Sequence, residues 1–186
     1  MHPADIKKYL FGTLPDGRNV HAFKLSNSTG MTVTISELGS TITSIQFPAN
    51  QADSSPIEIC LGYNNLEPYI SDTESIGVTV GRYANRIANA TFSINGKQHQ
   101  LSANIPPHQI HGGAQGFGKQ LFRGLEIENT SSPTVQFFYK SPDGEMGYPG
   151  DLDCSVSYTL TDDNQLIIDF DATCTEDCFI NLTNHA

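Results

Sequence analysis

Alternation of apolar and polar side chains constrains this sequence more than any other feature it carries. From Leu152 to Leu160 the residues Leu152, Cys154, Val156, Tyr158 and Leu160 fall on one face, and Asp153, Ser155, Ser157 and Thr159 on the other. A period of two belongs to a half-buried strand; a helix would scatter the same apolar residues around its circumference. The polar turn Thr161-Asp162-Asp163-Asn164 follows, and Leu166, Ile168, Phe170 and Ala172 then alternate again, which reads as an antiparallel hairpin. Thr91–Ile94 and Lys97–Leu101 flank Asn95-Gly96, a pair suited to the positive φ angles of a type I′ turn. Met31–Ser36 alternates as well.

Weaker strand signals cover Asn19–Ser26, Thr41–Phe47, Ile57–Leu61, Val78–Arg82, Leu125–Glu128 and Thr134–Lys140. No long segment has a 3.6-residue period, and Asn64–Ile70 offers a short helical turn at most. The expectation is an all-β fold, a large antiparallel β-sandwich spanning 1–186 as a single domain without an internal boundary. Hydrophobic residues make up 38% of the chain and are spread along its length, which argues against disorder. Lys plus Arg number 10 against 20 Asp plus Glu, a formal charge of −10. Such a surface repels phosphate backbones and anionic lipid, so neither nucleic acid nor membrane is an expected partner. The first residues, Met1 to Lys8, lack the apolar stretch of a secretory leader, and the cytoplasm is the expected location. Cys60, Cys154, Cys174 and Cys178 read as free thiols in keeping with it; Cys174 and Cys178 are separated by three residues, with no second cluster to make a zinc site.

Two long loops interrupt the strands, Asn104–Lys119 and Ser141–Gly150, and loops on a rigid sheet are where function concentrates. The first holds His108 and His111, a spacing that suits zinc but lacks a convincingly placed third ligand, so no metal is expected. Gly112 and Gly113 follow His111 and leave room for backbone or ligand beside an imidazole; a glycine-assisted turn that happens to contain His explains them equally well. Gly81-Arg82-Tyr83-Ala84-Asn85-Arg86 sets two of the few basic residues four apart. They suit hydrogen bonds to a hydroxyl-covered ligand, or structural ties to carboxylates. Phe179, Asn181, Thr183 and His185 share a face that is polar for a core strand, as in a binding cleft or on a solvent surface.

Gly81 to Ala88, Ile110-His111-Gly112-Gly113, Ser141 to Gly150 and Asn181 to His185, in that order, resemble the aldose 1-epimerase (galactose mutarotase) family. The similarity runs from Phe11-Gly12 to the last residue. It implies the family's large galactose mutarotase-like β-sandwich and an isomerase of carbohydrate and hexose metabolism, interconverting the α and β anomers of aldohexoses such as galactose and glucose. It also implies roles: His185 as general acid on the ring oxygen, His111 as the second active-site histidine that holds the sugar and supports acid–base chemistry, and Asn85 and Arg86 as binders of sugar hydroxyls. A base takes the proton of the anomeric hydroxyl while the acid protonates the ring oxygen; the ring opens, turns about one bond and closes on its other face. Imidazole exchanges protons near neutral pH, so the reaction needs neither cofactor nor metal.

The sequence departs from the family in places. Gly118 stands where Asp is common and Ile110 where Leu is frequent. Family members continue past the position of Ala186, and their later half supplies a binding Asp and the Glu base, roles given neither to Glu145 nor to Glu176. The expectation is therefore the N-terminal part of an epimerase, incomplete at the C-terminus and near background in activity by itself. The alternative is a non-catalytic carbohydrate-binding β-sandwich, which would bind galactose without speeding anomer exchange. The sequence is silent on oligomeric state.

Overall fold

A computed structural model of the chain describes residues 4–49, 55–128 and 130–186. Met1–Pro3, the start of the stretch read for a leader, lie outside the described residues. Five strands form the first sheet in sequence order: β1 (Asp5–Thr13), β2 (Asn19–Ser26), β3 (Thr32–Ser36), β4 (Thr41–Phe47) and β5 (Ile57–Glu58). A short helix α1 (Leu66–Ser71) follows, then β6 (Thr79–Val80), β7 (Arg86–Ile87), the hairpin β8 (Thr91–Ile94) and β9 (Lys97–Gln100), and β10 (Gln109–Ile110). The second sheet, also in sequence order, comprises β11 (Arg123–Glu126), β12 (Thr134–Ser141), β13 (Leu152–Leu160) and β14 (Leu166–Cys174). The chain then returns to pair β15 (Thr183–Asn184) with β6. All these strand pairs are antiparallel. Among the described residues no helix is long and apolar enough to cross a membrane.

The two larger sheets face each other, and the alternation of the sequence becomes their common core. β13 buries Leu152, Cys154, Val156, Tyr158 and Leu160 and turns the residues between them outward. These pack with Phe23, Leu25, Val33 and Ile35 of the first sheet and with Val135 and Phe137 of β12. Phe137 meets Phe23 edge-on at 5.5 Å between ring centres and Tyr158 at 5.8 Å, so aromatic contacts bridge the layers. Gly124 of β11 makes room for this: a Cβ there would stand 2.4 Å from the Phe23 ring. Between β8 and β9 both Asn95 (φ 53°) and Gly96 (φ 75°) take the left-handed conformation that the hairpin turn requires.

Several boundaries differ from the sequence reading. β1 had no predicted counterpart: it is an edge strand with Lys7, Lys8, Tyr9 and Leu10 exposed, and its register slips between Leu10 and Gly12. β5 and β6 are each two residues long, shorter than Ile57–Leu61 and Val78–Arg82. β11 begins at Arg123 instead of Leu125, because the inward position Gly124 carries no apolar side chain to mark it.

Glu37 joins the layers at one end. Its carboxylate accepts from the His21 backbone N–H at 2.9 Å and from the Gly124 N–H at 3.2 Å, and lies 3.0 Å from His21 Nδ1. These donors come from opposite sheets. Phe137, fully buried where the sheets meet, offers the cleanest test of the packing. Phe137→Ala is expected to lower unfolding free energy by about 3–5 kcal/mol, read from chemical denaturation; a loss below about 1 kcal/mol would contradict the shared core.

Candidate functional site

Three segments meet at one end of the sandwich: Gly77–Arg82, the loop from Ile110 to Gly118, and Thr183–His185. The last is held by its backbone. The His185 N–H donates to the Val78 carbonyl at 2.9 Å, and the His185 carbonyl accepts from the Gly77 N–H at 3.1 Å. Asn184 beside it donates through Nδ2 to the Gly77 carbonyl at 3.0 Å.

His111 is delivered by β10, whose Ile110 pairs with Arg86 of β7. Immediately after the pairing His111, Gly112 and Gly113 all have positive φ, at 53°, 78° and 96°. The glycines are there for packing. A Cβ on Gly112 would stand 1.8 Å from the Gly81 carbonyl oxygen, and one on Gly113 would meet the Met146 thioether at 3.0 Å. It is therefore backbone and the Met146 side chain that approach these glycines. His111 accepts its unusual backbone because two bonds fix it: its N–H donates to the Asn85 carbonyl at 3.1 Å, and the Asn85 N–H donates to its Nδ1 at 3.1 Å.

The second bond sets the chemistry of the ring. A backbone N–H can only donate, so Nδ1 is an acceptor and the proton of the neutral imidazole sits on Nε2. Burial, then the nearby His185 and Arg86, hold the His111 pKa below its ordinary value. His111 is thus a neutral ring whose one N–H is a fixed donor. The His185 ring lies 5.1 Å from it between centres, at 75°.

Both imidazoles line a cleft of about 530 Å3. The turn Asp72–Ser75 forms another part of its wall, and Asn104 and Ile105 line it as well. Lys119 fixes that wall: its ammonium donates to the carbonyls of Tyr69 (3.0 Å), Ile70 (3.1 Å) and Asp72 (2.5 Å), which caps α1 and ties it to the His111 loop. Burial lowers the Lys119 pKa, with Asp72 opposing. The Asp72 carboxylate folds the turn by accepting from the Glu74 and Ile76 N–H groups at 3.2 and 3.1 Å.

Of the residues singled out from the sequence, His111 and His185 come together. Asn85 touches His111 through its backbone, while its side-chain oxygen accepts from the Arg86 N–H at 2.9 Å and Nη1 at 3.4 Å. Arg86 is exposed and borders a separate hollow of about 230 Å3 with Tyr83, Ile87, Phe92 and Phe179. Arg82 is neither ligand-facing nor tied directly to a carboxylate. It is 2% exposed and donates to Ser141 Oγ and to the carbonyls of Ser141, Pro142 and Pro149, each at 2.8–2.9 Å. Glu145 sits one bond further out, accepting from the hydroxyls of Ser141 and Tyr139. His108 is turned to the Asn89 N–H through Nδ1 at 3.0 Å, and among the described residues no group of three metal-ligating side chains is gathered. The sequence reading missed Asp72, Glu74 and Lys119. A polar run after a helical turn was the only signal for the acidic pair, and Lys119 closed a loop already marked as unusual.

The family model described as "Aldose 1-epimerase" matches residues 21–186. The aldose 1-epimerase of Escherichia coli is 39% identical over 171 residues, covering 92% of this chain and 48% of that protein. Human galactose mutarotase is 39% identical over 184 residues, covering 98% and 52%. The chain thus spans about half the length of the curated relatives it matches. Among solved structures, an aldose epimerase homologue from C. elegans superposes with a TM-score of 0.77 at 35% identity, covering 87% of this chain and 48% of that one. The galactose 1-epimerase of Lactobacillus acidophilus superposes at 0.86 with 24% identity, covering 98% and 52%, a likeness of fold.

The lowered pKa of His111 fixes the sign of a pH effect. An imidazole in the unfolded chain takes a proton near pH 6.5, before folded His111 does, so this residue's contribution to stability is lost as pH falls through 6.5 toward its folded pKa. Nitrogen NMR of the histidine rings should show His111 as the Nε2–H form at pH 7, titrating below 6.5. A midpoint at or above 6.5, or an Nδ1–H ring, would contradict the Asn85 bond.

Proposed function

The chain belongs to the aldose 1-epimerase family, and we propose that its paired histidines serve the anomer exchange of an aldohexose such as galactose or glucose. The observation that carries this reading is the meeting of His111 and His185 on one wall of the cleft, 5.1 Å apart and from distant parts of the chain.

The roles follow from what each ring can do. His111 is held neutral with Nε2–H outward, so it donates to a sugar oxygen and keeps the ligand in place. His185, fixed by its backbone to Gly77 and Val78, gives a proton to the ring oxygen as the C1–O5 bond breaks. It takes the proton back when the aldehyde closes on its other face. Ring opening needs the proton of the anomeric hydroxyl to leave at the same time, and we assign that base to none of the described residues. Asp72 is engaged by two backbone N–H groups. Arg86 borders the second hollow and Asn85 touches His111, and the two serve sugar hydroxyls. A net charge of −10 suits a neutral sugar better than a sugar phosphate. The setting we propose is hexose metabolism in the cytoplasm, which suits a chain whose four cysteines are free.

Titration of D-galactose into the chain should move the ring resonances of His111 and His185 in a saturable way and leave those of His21 and His99 in place. Shifts that are absent, or equal at all four rings, would overturn the reading. Any acceleration of α-galactose mutarotation over buffer should be lost in His185→Gln, since removing a general acid costs about 10²–10⁴-fold. Undiminished acceleration in that variant would remove His185 from the chemistry, and the sugar titration would then identify a binding site alone.

A further inference from the structure

The thiols of Cys174 and Cys178 are not used by the reading above, yet they occupy a defined place. Cys174 ends β14 and its thiol donates to the Pro149 carbonyl at 3.6 Å. That same carbonyl accepts from Arg82 Nη1 at 2.9 Å, and Nη1 also reaches the Cys178 sulfur at 3.9 Å. The two thiols therefore gather around one buried guanidinium and one carbonyl. They are close enough that Cys174 bears on the ionisation of Cys178. Gly150 leaves room for this: a Cβ there would stand 2.8 Å from the Cys174 sulfur. Both thiols are half-buried, and both belong to reduced cysteines.

We propose that Cys174 and Cys178 are a dithiol modification site, closed to a disulfide by hydrogen peroxide. The Cys178 thiolate attacks one peroxide oxygen, an S–O bond forms, and hydroxide leaves and is protonated to water. The Cys174 thiolate then attacks the sulfenic sulfur, the S–S bond forms, and a second hydroxide leaves as water. Two thiols are oxidised, and one peroxide is reduced to two waters. The guanidinium of Arg82 is the group that favours the first step, because it stabilises a thiolate at Cys178 against the burial that raises its pKa. The other two cysteines lack this combination. Cys154 faces the core, where burial pushes its thiol up to about 12, and Cys60 lies beside the Glu58 carboxylate, which adds to the effect of burial.

Closure also has a mechanical consequence. Drawing Cys178 toward Cys174 takes its sulfur from Arg82 and pulls on the segment Phe179–His185, which begins at the next residue and ends at the imidazole of the cleft. The dithiol thus couples peroxide to the position of His185.

The sequence makes the test direct. Cleavage after Glu176 separates Cys174 from Cys178, so a disulfide between them holds two peptides together until it is reduced. The intact chain is treated with hydrogen peroxide at pH 8, alkylated with iodoacetamide, cleaved at glutamate and analysed by mass spectrometry with and without reductant. The linked pair is expected, with Cys60 and Cys154 alkylated. In Cys178→Ser the link should disappear, and Cys174 should not acquire a new partner. Recovery of both thiols alkylated, separate oxidation of each to sulfinic acid, or pairing with Cys60 or Cys154 would overturn the site. Backbone amide shifts on oxidation should extend from Cys178 to His185; a link that forms with the His185 amide unmoved would overturn the coupling. Neither outcome depends on whether the chain binds sugar.

Discussion

The hydroxyl of Tyr158, fully buried on the inner face of β13, donates to the Ser40 carbonyl at 2.7 Å. It also lies 3.3 Å from Thr79 Oγ1 and 3.4 Å from Asn184 Nδ2. Its ring belongs to the core, and its oxygen meets Thr79 and Asn184, which stand beside the cleft-lining Val78, Val80 and His185. The turn between β3 and β4, the strand β6 and the strand β15 all attach to it. β6 and β15 are only two residues each, and a ladder so short has little stability of its own in water. What holds His185 opposite His111 is therefore the sandwich, transmitted through one phenol. An unpaired buried hydroxyl is costly, so the arrangement favours the geometry in which every partner is present.

A second constraint acts at the crossing of the β6 strand and the histidine loop. The Gly81 carbonyl approaches Gly112 so closely that no side chain fits, and it accepts from the Phe117 N–H at 3.2 Å. The next residue, Arg82, turns inward and saturates its fork on the Ser141–Pro149 loop. Lysine could not replace it: an ammonium lacks the planar set of donors that reaches four acceptors at once. Burial of that charge is tolerable because Glu145 stands beyond Ser141 and Tyr139, and the cationic ring of contacts extends over the Tyr148 face at 5.9 Å. Core, crossing and cleft are in this way one connected structure.

Strands with one wet and one dry face were legible in the sequence, β13 and β2 to the residue, because burial on a single side leaves a period of two. Legibility failed where the apolar signal came from elsewhere. Gly124 faces the core but its space is filled by the Phe23 ring of another sheet, and β1 lies exposed at an edge. His111 and His185 were singled out by the order of short motifs, and the structure brings their rings together on one cleft. The sequence left Arg82 open between a ligand donor and a structural tie to carboxylates; it is structural, but its partners are a hydroxyl and carbonyls that lie 59 and more residues away, and local context carries no trace of them. The same holds for Lys119, whose carbonyl partners come from around α1. Arg86 lies at the rim of a different hollow, a placement that its neighbours in sequence do not reveal.

The buried Tyr158 hydroxyl positions the His185 strand, and amide hydrogen exchange in Tyr158→Phe tests this. The ring stays in the core, so the amides of β12 and β13 should keep their protection relative to one another. The His185 and Gly77 amides, which bond across the β6–β15 ladder, should exchange at least about tenfold faster, as local opening without global unfolding requires. Unchanged protection at His185, or an equal loss throughout the core, would contradict the account.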